Sequence, residues 1–157
     1  MNQMVDAKWT WIEAAHGLRA QVLDLLSDAD LAFSPGGQNM PFGALWREMG
    51  DVEYAYSQSL QTFRHEWSAP PQYADGPGTV PQLQGQLRAQ DAEMKAALAA
   101  LGDADLTKLV ERGGAEVPVE FQLDCYLQAV LIFLGKASIY LRALNKPLPR
   151  EVQEYIG

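Results

Sequence analysis

Glu53 is the residue whose position in this sequence most strongly suggests chemistry. It falls inside the apolar stripe of a predicted helix, about 30° from the centre of that stripe on a helical wheel. A carboxylate there loses hydration, so its pKa is raised unless a partner compensates for the burial. Glu53 would then be a general base or a ligand anchor. The simpler interpretation, which we favour, is a buried carboxylate paired with an arginine, a tryptophan N–H or a tyrosine hydroxyl.

His16 and Cys125 are further candidates for a cleft. His16 lies beside the apolar stripe of the first predicted helix, between Ala15 and Leu18, where a histidine is typically hydrogen-bonded at the edge of the core. A role in acid–base chemistry would need a cleft shared with Glu53. Cys125 is the only cysteine, so no internal disulfide forms. Because no basic residue near it in the sequence would lower the pKa of its thiol, we interpret it as a small buried apolar side chain.

Four predicted helices position these side chains. The first shows apolar spacings of four and three, and the second begins near Met40, with Pro41 suited to its first turn. The third begins after Thr79, which has the side chain of an N-cap, and ends at Gly102. The fourth covers about residues 119–144 and is apolar on most sides in its middle, as expected of a helix buried by several neighbours. The stripes contain Trp11, Ala15, Leu18, Val22 and Leu25 in the first helix, Phe42, Trp46, Met49, Tyr56, Leu60 and Phe63 in the second, and Val80, Leu83, Leu87, Met94, Ala97 and Leu101 in the third.

The connections between these helices indicate the topology. Residues 68–78 contain several prolines and glycines and are long enough to cross from one end of a bundle to the other. Residues 106–117, with Gly113-Gly114 inside, are typical of a short β-hairpin. Residues 151–156 are expected to add one short turn. The sequence therefore predicts an all-α four-helix bundle with a long crossover between helices 2 and 3 and a short β-hairpin before helix 4, in a single domain over residues 1–157.

Composition excludes several classes of partner. The net charge is -8, and the 12 lysines and arginines are scattered, so we expect no nucleic-acid binding. The N-terminal residues lack the basic-then-apolar order of a signal peptide. No continuous apolar run reaches the roughly 18 residues of a membrane span. We therefore expect a cytoplasmic protein that does not bind a membrane.

Two segments carry a resemblance to a known family. Residues 129–149, aligned on Gly135 and on Tyr140-Leu141-Arg142, resemble the last long helix of the DinB/YfiT-like family, which reads roughly His-x-x-x-His-x-Gly-Gln-φ-x-x-Tyr-Leu-Arg-x-x-Gly-x-Pro, with φ apolar. Residues 42–53 resemble the family's second helix, with Asp51 and Glu53 fixing the register. The resemblance implies the same bundle, with a small hairpin just before the last helix.

The resemblance also locates three positions that bind a divalent metal through histidines in the family. In this sequence they are occupied by Glu48, Ala129 and Phe133, or by Met49 in place of Glu48 if the register shifts by one. A catalytic metal site typically needs three nitrogen, oxygen or thiolate ligands, and only Glu48 supplies one. We therefore expect neither a metal nor another cofactor here. The alternative is a divalent metal bound away from the family's site.

The resemblance implies a stress- or DNA-damage-inducible protein. Metal-binding members include thiol transferases and maleylpyruvate-isomerase-like enzymes, whose metal activation of a thiol or water cannot be carried over to Ala129 and Phe133. We therefore expect a protein that binds a partner or a small ligand, and not an enzyme. The alternative is a thiol-transferase-like transferase or a hydrolase with a relocated site that uses Glu48, Glu53 or His16. A third class is a scaffold whose only task is oligomerisation.

A homodimer is the expected assembly. Trp9, Tyr54 and Trp67 fall off the apolar stripes, so we expect them to form an exposed aromatic patch. Exposed aromatic side chains often mark a partner surface. Members of the family that the sequence resembles commonly pair through helix faces.

Overall fold

Five helices and a small three-stranded sheet make up the part of the chain that the computed structural model describes, residues 3–67 and 78–156. The helices are α1 (Gln3–Asp24), α2 (Phe42–Thr62), α3 (Val80–Ala100), α4 (Val119–Ala143) and α5 (Arg150–Ile156). The strands are β1 (Arg64–His65), β2 (Leu109–Arg112) and β3 (Ala115–Pro118), and short 3-10 turns cover Asp28–Ala32 and Asp105–Thr107.

The four long helices form a bundle in which α1 and α2 each pack against both α3 and α4. Helices α2 and α4 are antiparallel. Phe42, at the start of α2, stacks on Tyr140 near the end of α4, with ring centroids 4.6 Å apart. At the opposite end, Gln122 donates to the Ser59 hydroxyl at 2.8 Å. Helices α1 and α2 each pack against α3 and α4 and have few contacts with each other. They therefore lie at opposite corners of the bundle, on one diagonal.

The contacts of α1 with α3 and with α4 show that α2 and α3 run in the same direction. Helix α1 is antiparallel to α3, since Asp24 accepts from Gln84 near the start of α3. It is parallel to α4, since Lys8 bonds Asp124 near the start of α4. Parallel α2 and α3 require a connection that crosses the length of the bundle, so the predicted crossover is confirmed. Residues 68–77 of that connection lie outside the described residues.

Helices α2 and α3 approach each other closely at Gly50. A Cβ atom at this position would lie 3.1 Å from the Gln90 side-chain oxygen. The Gln90 amide donates to the Gly50 carbonyl at 2.9 Å. A side chain at position 50 would therefore displace Gln90, which is 2% exposed.

The predicted apolar stripe of α1 is wrong at its two ends. Ala15, Leu18 and Val22 are buried, but Trp11 is 59% exposed and Leu25 lies at the surface. The helix begins at Gln3, eight residues before the predicted stripe, and its inner face instead continues through Val5, Trp9 and Ile12. The pattern of apolar residues did not predict which face of α1 points into the bundle, because part of that buried face is polar.

The expected aromatic patch is also only partly present. Trp9 is buried, which contradicts the prediction, and Tyr54 is half-buried. Trp67 is exposed as expected. The stripes of α2 and α3 are buried as predicted, apart from half-buried Phe63, which caps α2 with a left-handed backbone.

Local sequence signals fix the start of α3 and the hairpin. The Thr79 hydroxyl accepts from the backbone N–H of Gln82, and the Gln82 side chain accepts from the backbone N–H of Thr79, which makes a capping box. Gly113 and Gly114 join β2 to β3 with φ of +57° and +88°, the two positive values that a tight two-residue hairpin turn requires. The first hairpin strand begins at Leu109 and not near Leu106, which lies in a 3-10 turn.

The sheet has one strand more than the predicted hairpin. Strand β1, directly after α2, pairs in parallel with β2, which pairs antiparallel with β3. A two-residue strand leaves no periodic pattern in a sequence, so the prediction had no signal for it.

Helix α4 explains the apolar composition of the C-terminal part of the chain. Within the described residues it is the one helix long and apolar enough to cross a membrane, judged by length and composition. In the fold it packs against α1 and α2 as a core helix. The prediction that its middle is buried on most sides fails at Ile132, which is 60% exposed, although Val130, Phe133 and Leu134 are buried.

Candidate functional site

The centre of the bundle contains a cluster of polar side chains from all four long helices, which we call the buried polar cluster. Its members are His16 and Arg19 of α1, Glu53 of α2, Asp91 of α3 and Tyr126 of α4. Arg19 and Glu53 are 1% and 0% exposed, whereas the side chain of Asp91 is 31% exposed. Burial of this many titratable groups is costly unless each has a partner.

Arg19 holds the two carboxylates of the cluster together. Its Nη1 donates to Glu53 Oε2 at 2.6 Å, and its Nη2 donates to Asp91 Oδ1. The structure thus gives Glu53 the buried arginine partner that the sequence led us to favour. The second oxygen of Glu53, Oε1, is buried, and no hydrogen bond reaches it from the described residues.

His16 connects Asp91 to Tyr126. Its Nδ1 lies 2.9 Å from Asp91 Oδ1, and its Nε2 lies 2.6 Å from the Tyr126 hydroxyl. An ionised carboxylate only accepts hydrogen bonds, so Nδ1 carries a proton, and in the neutral ring Nε2 accepts from Tyr126. The same Nε2 is 3.6 Å from Glu53 Oε1, the oxygen without a hydrogen bond. His16 therefore lies beside Glu53, which is fully buried and does not line the cleft at His16.

The two carboxylates have opposite pKa shifts. Burial would raise the pKa of Asp91, but the hydrogen bond from His16 and the charge of Arg19 outweigh it and lower this pKa to about 2. Burial raises the pKa of Glu53, and the charge of Arg19 opposes this rise. Burial, together with the charge of Glu53, raises the pKa of Tyr126 well above its ordinary value. Groups with separated pKa values in one cluster are typical of functional sites and also of structural ion networks.

A cleft between α1 and α3 leads from the surface to the buried polar cluster. Its volume is about 130 Å³, and it reaches His16, Arg19 and Asp91. Its other lining residues are Ala20, Leu23, Asp24, Gln84, Leu87 and Arg88. Asp91 is therefore the member of the cluster that a solute in this cleft meets most directly.

The sequence located only part of this cluster. Glu53 and His16 were candidates, but Arg19, Asp91 and Tyr126 were not. The available signal was Arg19, a charged residue three positions after His16 on a face that otherwise carries apolar residues. Asp91 and Tyr126 gave no comparable signal, because their pairing depends on how α3 and α4 are rotated.

A second site, which we call the α2/α4 groove, contains the positions singled out by the family resemblance. Glu48, Ala129 and Phe133 line one pocket of about 170 Å³. Glu48 is exposed, and Met49, the alternative to Glu48, is buried and lines the same pocket. An adjoining pocket of about 220 Å³ shares Leu45, Glu48 and Lys136 and extends to Tyr140. The other lining residues of the two pockets are Val52 and Ile132 in the first, and Gln38, Asn39, Met40 and Ile139 in the second.

The donor atoms in this groove do not fit the family's metal. Of the three positions, only Glu48 carries a ligating atom, since Ala129 and Phe133 have hydrocarbon side chains. The ring of Phe133 packs edge-on against Trp46, with centroids 4.7 Å apart, and its side chain is 4% exposed. Phe133 is therefore a packing residue of the core and supplies no ligand atom.

Cys125 does not belong to the groove. It lies one and two helical turns before Ala129 and Phe133 on α4, but it is not among the residues that line the pocket. Its side chain is half-buried and packs against the core.

A further polar network attaches the sheet to the bundle. Arg112 of β2 donates to Gln122 of α4 and to the Tyr56 hydroxyl of α2, both at 3.0 Å. Gln122 in turn lies 2.9 Å from His65 Nδ1. Burial and the charge of Arg112 lower the pKa of His65 to about 4, so this ring is neutral at pH 7.

Bundle, crossover, hairpin and groove together define a class of helical proteins. The sequence profile of the DinB superfamily matches residues 11–128. The fold is similar to that of a DinB-like protein from Bacillus subtilis, YjoA, with a TM-score of 0.74 and 14% identity over 94% of this chain and 96% of that protein. It is also similar to a mutant of the mycothiol-dependent maleylpyruvate isomerase, with a TM-score of 0.66 and 14% identity over 92% of this chain and 70% of that protein.

Because the profile covers most of the sequence, the chain belongs to the DinB superfamily. No protein of curated function matches the sequence. At 14% identity, the two solved structures establish the fold and not a shared activity.

Proposed function

We propose that this protein binds a small amphipathic molecule in the α2/α4 groove and has lost the family's metal centre there. The observation that carries the proposal is the lining of the groove: Glu48 and Lys136 are charged, and most of the surrounding side chains are apolar. Ligand sites commonly combine apolar walls with a few polar groups that fix orientation.

The two charges favour a ligand with a polar head. Glu48 lies on α2 and Lys136 on α4, and in the described residues neither makes an ion pair with another side chain. An ammonium group would pair with Glu48 and a carboxylate with Lys136, whereas Met49, Val52 and Phe133 would contact an apolar body. Amino-acid-like zwitterions with an apolar side chain combine these features.

The absence of family donors supports binding over metal-dependent catalysis in this groove. Phe133 fills part of the pocket with apolar volume and packs on Trp46. This arrangement favours stability over chemistry. The stress- or damage-associated role that the resemblance implies stays a prediction.

A binding experiment with a matched pair of variants tests the proposal. We would titrate fluorescent dansyl derivatives of an alkylamine, an alkyl carboxylate and a zwitterionic amino acid into the protein. Ala129→Phe fills the groove, and Ala96→Phe makes the same change at an exposed position of α3 that lines neither pocket. We expect Ala129→Phe to weaken binding at least about tenfold, which is roughly 1.4 kcal/mol, and Ala96→Phe to leave it unchanged. Absence of binding by all three probes, or equal effects of the two variants, would contradict the proposal.

We also propose that the chain forms a homodimer through the outer face of α4. Phe121, Ile132 and Ile139 are 51%, 60% and 59% exposed. With Cys125, Gln128 and Gly135 they follow alternating spacings of four and three, the pattern of a helix–helix seam. A Cβ at Gly135 would meet nothing within 4 Å, so a neighbouring helix could approach closely there.

A further inference from the structure

We propose that His16, Glu53 and Asp91 form a binding site for one divalent transition-metal ion in the centre of the bundle. One ligand atom from each of these residues lies within 4.8 Å of the other two. Metal–nitrogen and metal–oxygen bonds are about 2.1 Å long, so two ligands of one ion are at most about 4.2 Å apart. The most widely separated of these atoms can be up to 4.8 Å apart, so they would have to move together by about half an ångström or more to enclose an ion.

The free oxygen of Glu53 points to a ligand. Glu53 is fully buried, and its Oε1 receives no hydrogen bond from the described residues. An ionised oxygen that is buried without a partner is costly. This atom faces His16 Nε2 at 3.6 Å, which is too long for a hydrogen bond. An ion bound to Oε1 would supply the partner that this oxygen does not have among the described residues.

The second layer of contacts suits a metal site. His16 Nδ1 lies 2.9 Å from Asp91, and Nε2 lies 2.6 Å from the Tyr126 hydroxyl. If Nδ1 gives up its proton and binds the ion together with Asp91, Nε2 keeps the Tyr126 hydroxyl as the partner that fixes the orientation of the ring. Metal-bound histidines almost always have such a partner.

Arg19 orients the two carboxylates and leaves an oxygen of Glu53 available to bind a metal ion. Its guanidinium donates to Glu53 Oε2 and Asp91 Oδ1, which leaves Glu53 Oε1 free. With both carboxylates ionised and His16 neutral, the cluster carries one negative charge, which attracts a cation.

The cleft between α1 and α3 provides access and an open coordination position. It reaches His16 and Asp91 from solvent, so a water molecule could complete the coordination of the ion. One imidazole and two carboxylates match Zn²⁺, Co²⁺ or Mn²⁺ better than they match a soft ion such as Cu⁺. This site does not include the α2/α4 groove, and the proposal does not depend on the ligand proposed for that groove.

Metal retention with matched variants tests the site. Untagged protein is incubated separately with Zn²⁺, Co²⁺ and Mn²⁺, desalted and measured by plasma mass spectrometry. We expect about one equivalent of at least one ion in wild type and in Glu48→Gln, and less than about a tenth of an equivalent in Asp91→Asn. Retention below a tenth of an equivalent in wild type overturns the proposal. Equal retention in Asp91→Asn, or loss in Glu48→Gln, also overturns it.

Histidine NMR gives a test that needs no variant. The chain has two histidines, His16 and His65. Zn²⁺ is expected to shift the ring-nitrogen resonances of His16 and to leave those of His65 unchanged. If neither histidine responds, or if His65 alone responds, the cluster does not bind the ion, even where the Asp91 variant fails to fold.

Discussion

Arg19 and Glu53 form a buried ion pair across the diagonal of the bundle, with Nη1 2.6 Å from Oε2. These residues belong to α1 and α2, which lie on one diagonal of the bundle. The pair therefore joins two helices that each pack against α3 and α4. Breaking one side of such a pair leaves a charge without compensation in the core.

Arg19→Met is expected to destabilise the protein by about 3–5 kcal/mol, because it leaves the carboxylate of Glu53 buried without its cation. Urea unfolding at pH 7 measures the effect. In the double variant Arg19→Met/Glu53→Gln, the loss should be smaller, since the buried charge is gone as well. Arg150→Met is the matched control: the Arg150–Glu154 pair is at the surface and its removal should have little effect. A double variant less stable than Arg19→Met would contradict this account.

The assignment of Ala129 and Phe133 to the family's metal positions predicts a gain of function. Ala129→His/Phe133→His adds two imidazoles beside Glu48, which completes a set of three donors. The double variant should retain about one more equivalent of Zn²⁺ than wild type after desalting. Adding Glu48→Gln should abolish most of that gain. If the double variant folds, by circular dichroism, yet binds no additional ion, the three positions do not converge as a metal site.

His65 makes stability depend on pH. Its folded pKa of about 4 is below the ordinary 6.5, so between these values the unfolded chain binds a proton that the folded protein does not. Stability should therefore fall as the pH is lowered from 6.5, by up to about 2 kcal/mol at pH 5. In His65→Gln this component should vanish while the amide keeps an acceptor for Gln122. Urea unfolding at pH 7 and pH 5 measures both proteins, and an equal loss in the two would exclude His65 as the cause.

Phe121 tests the proposed dimer without touching the groove. This residue is 51% exposed and does not line either pocket of the α2/α4 groove. Phe121→Glu would place like charges opposite each other in a symmetric interface, so we expect a dimer to become a monomer in sedimentation analysis. Glu116→Lys, an exposed change on the hairpin, is a control that should leave the assembly unchanged. A wild-type protein that sediments as a monomer at all concentrations would refute the dimer.

The elements of the fold follow from local patterns in the sequence. The Thr79–Gln82 capping box starts α3, and Gly113-Gly114 supplies the two positive φ values of the hairpin turn. The crossover follows from the length and composition of the connection after α2. These features depend on residues within a few positions of each other, so they can be predicted from the sequence alone. The rotation of α1 could not be predicted in this way. Its buried face includes His16 and Arg19, and a pattern based on apolar residues assigns such polar residues to the surface.

The sequence by itself determined the helices, the hairpin and the lack of metal donors at Ala129 and Phe133. Only the tertiary structure decided that a polar cluster from four helices meets at the centre of the bundle. Arg19 and Glu53 are 34 positions apart, and His16 and Tyr126 are 110 apart. Helical periodicity tells which face a residue occupies, but not which residue faces it on another helix. That pairing is set by the packing of the whole bundle, where each helix settles at the rotation and height that bury the most apolar surface while keeping the polar groups bonded.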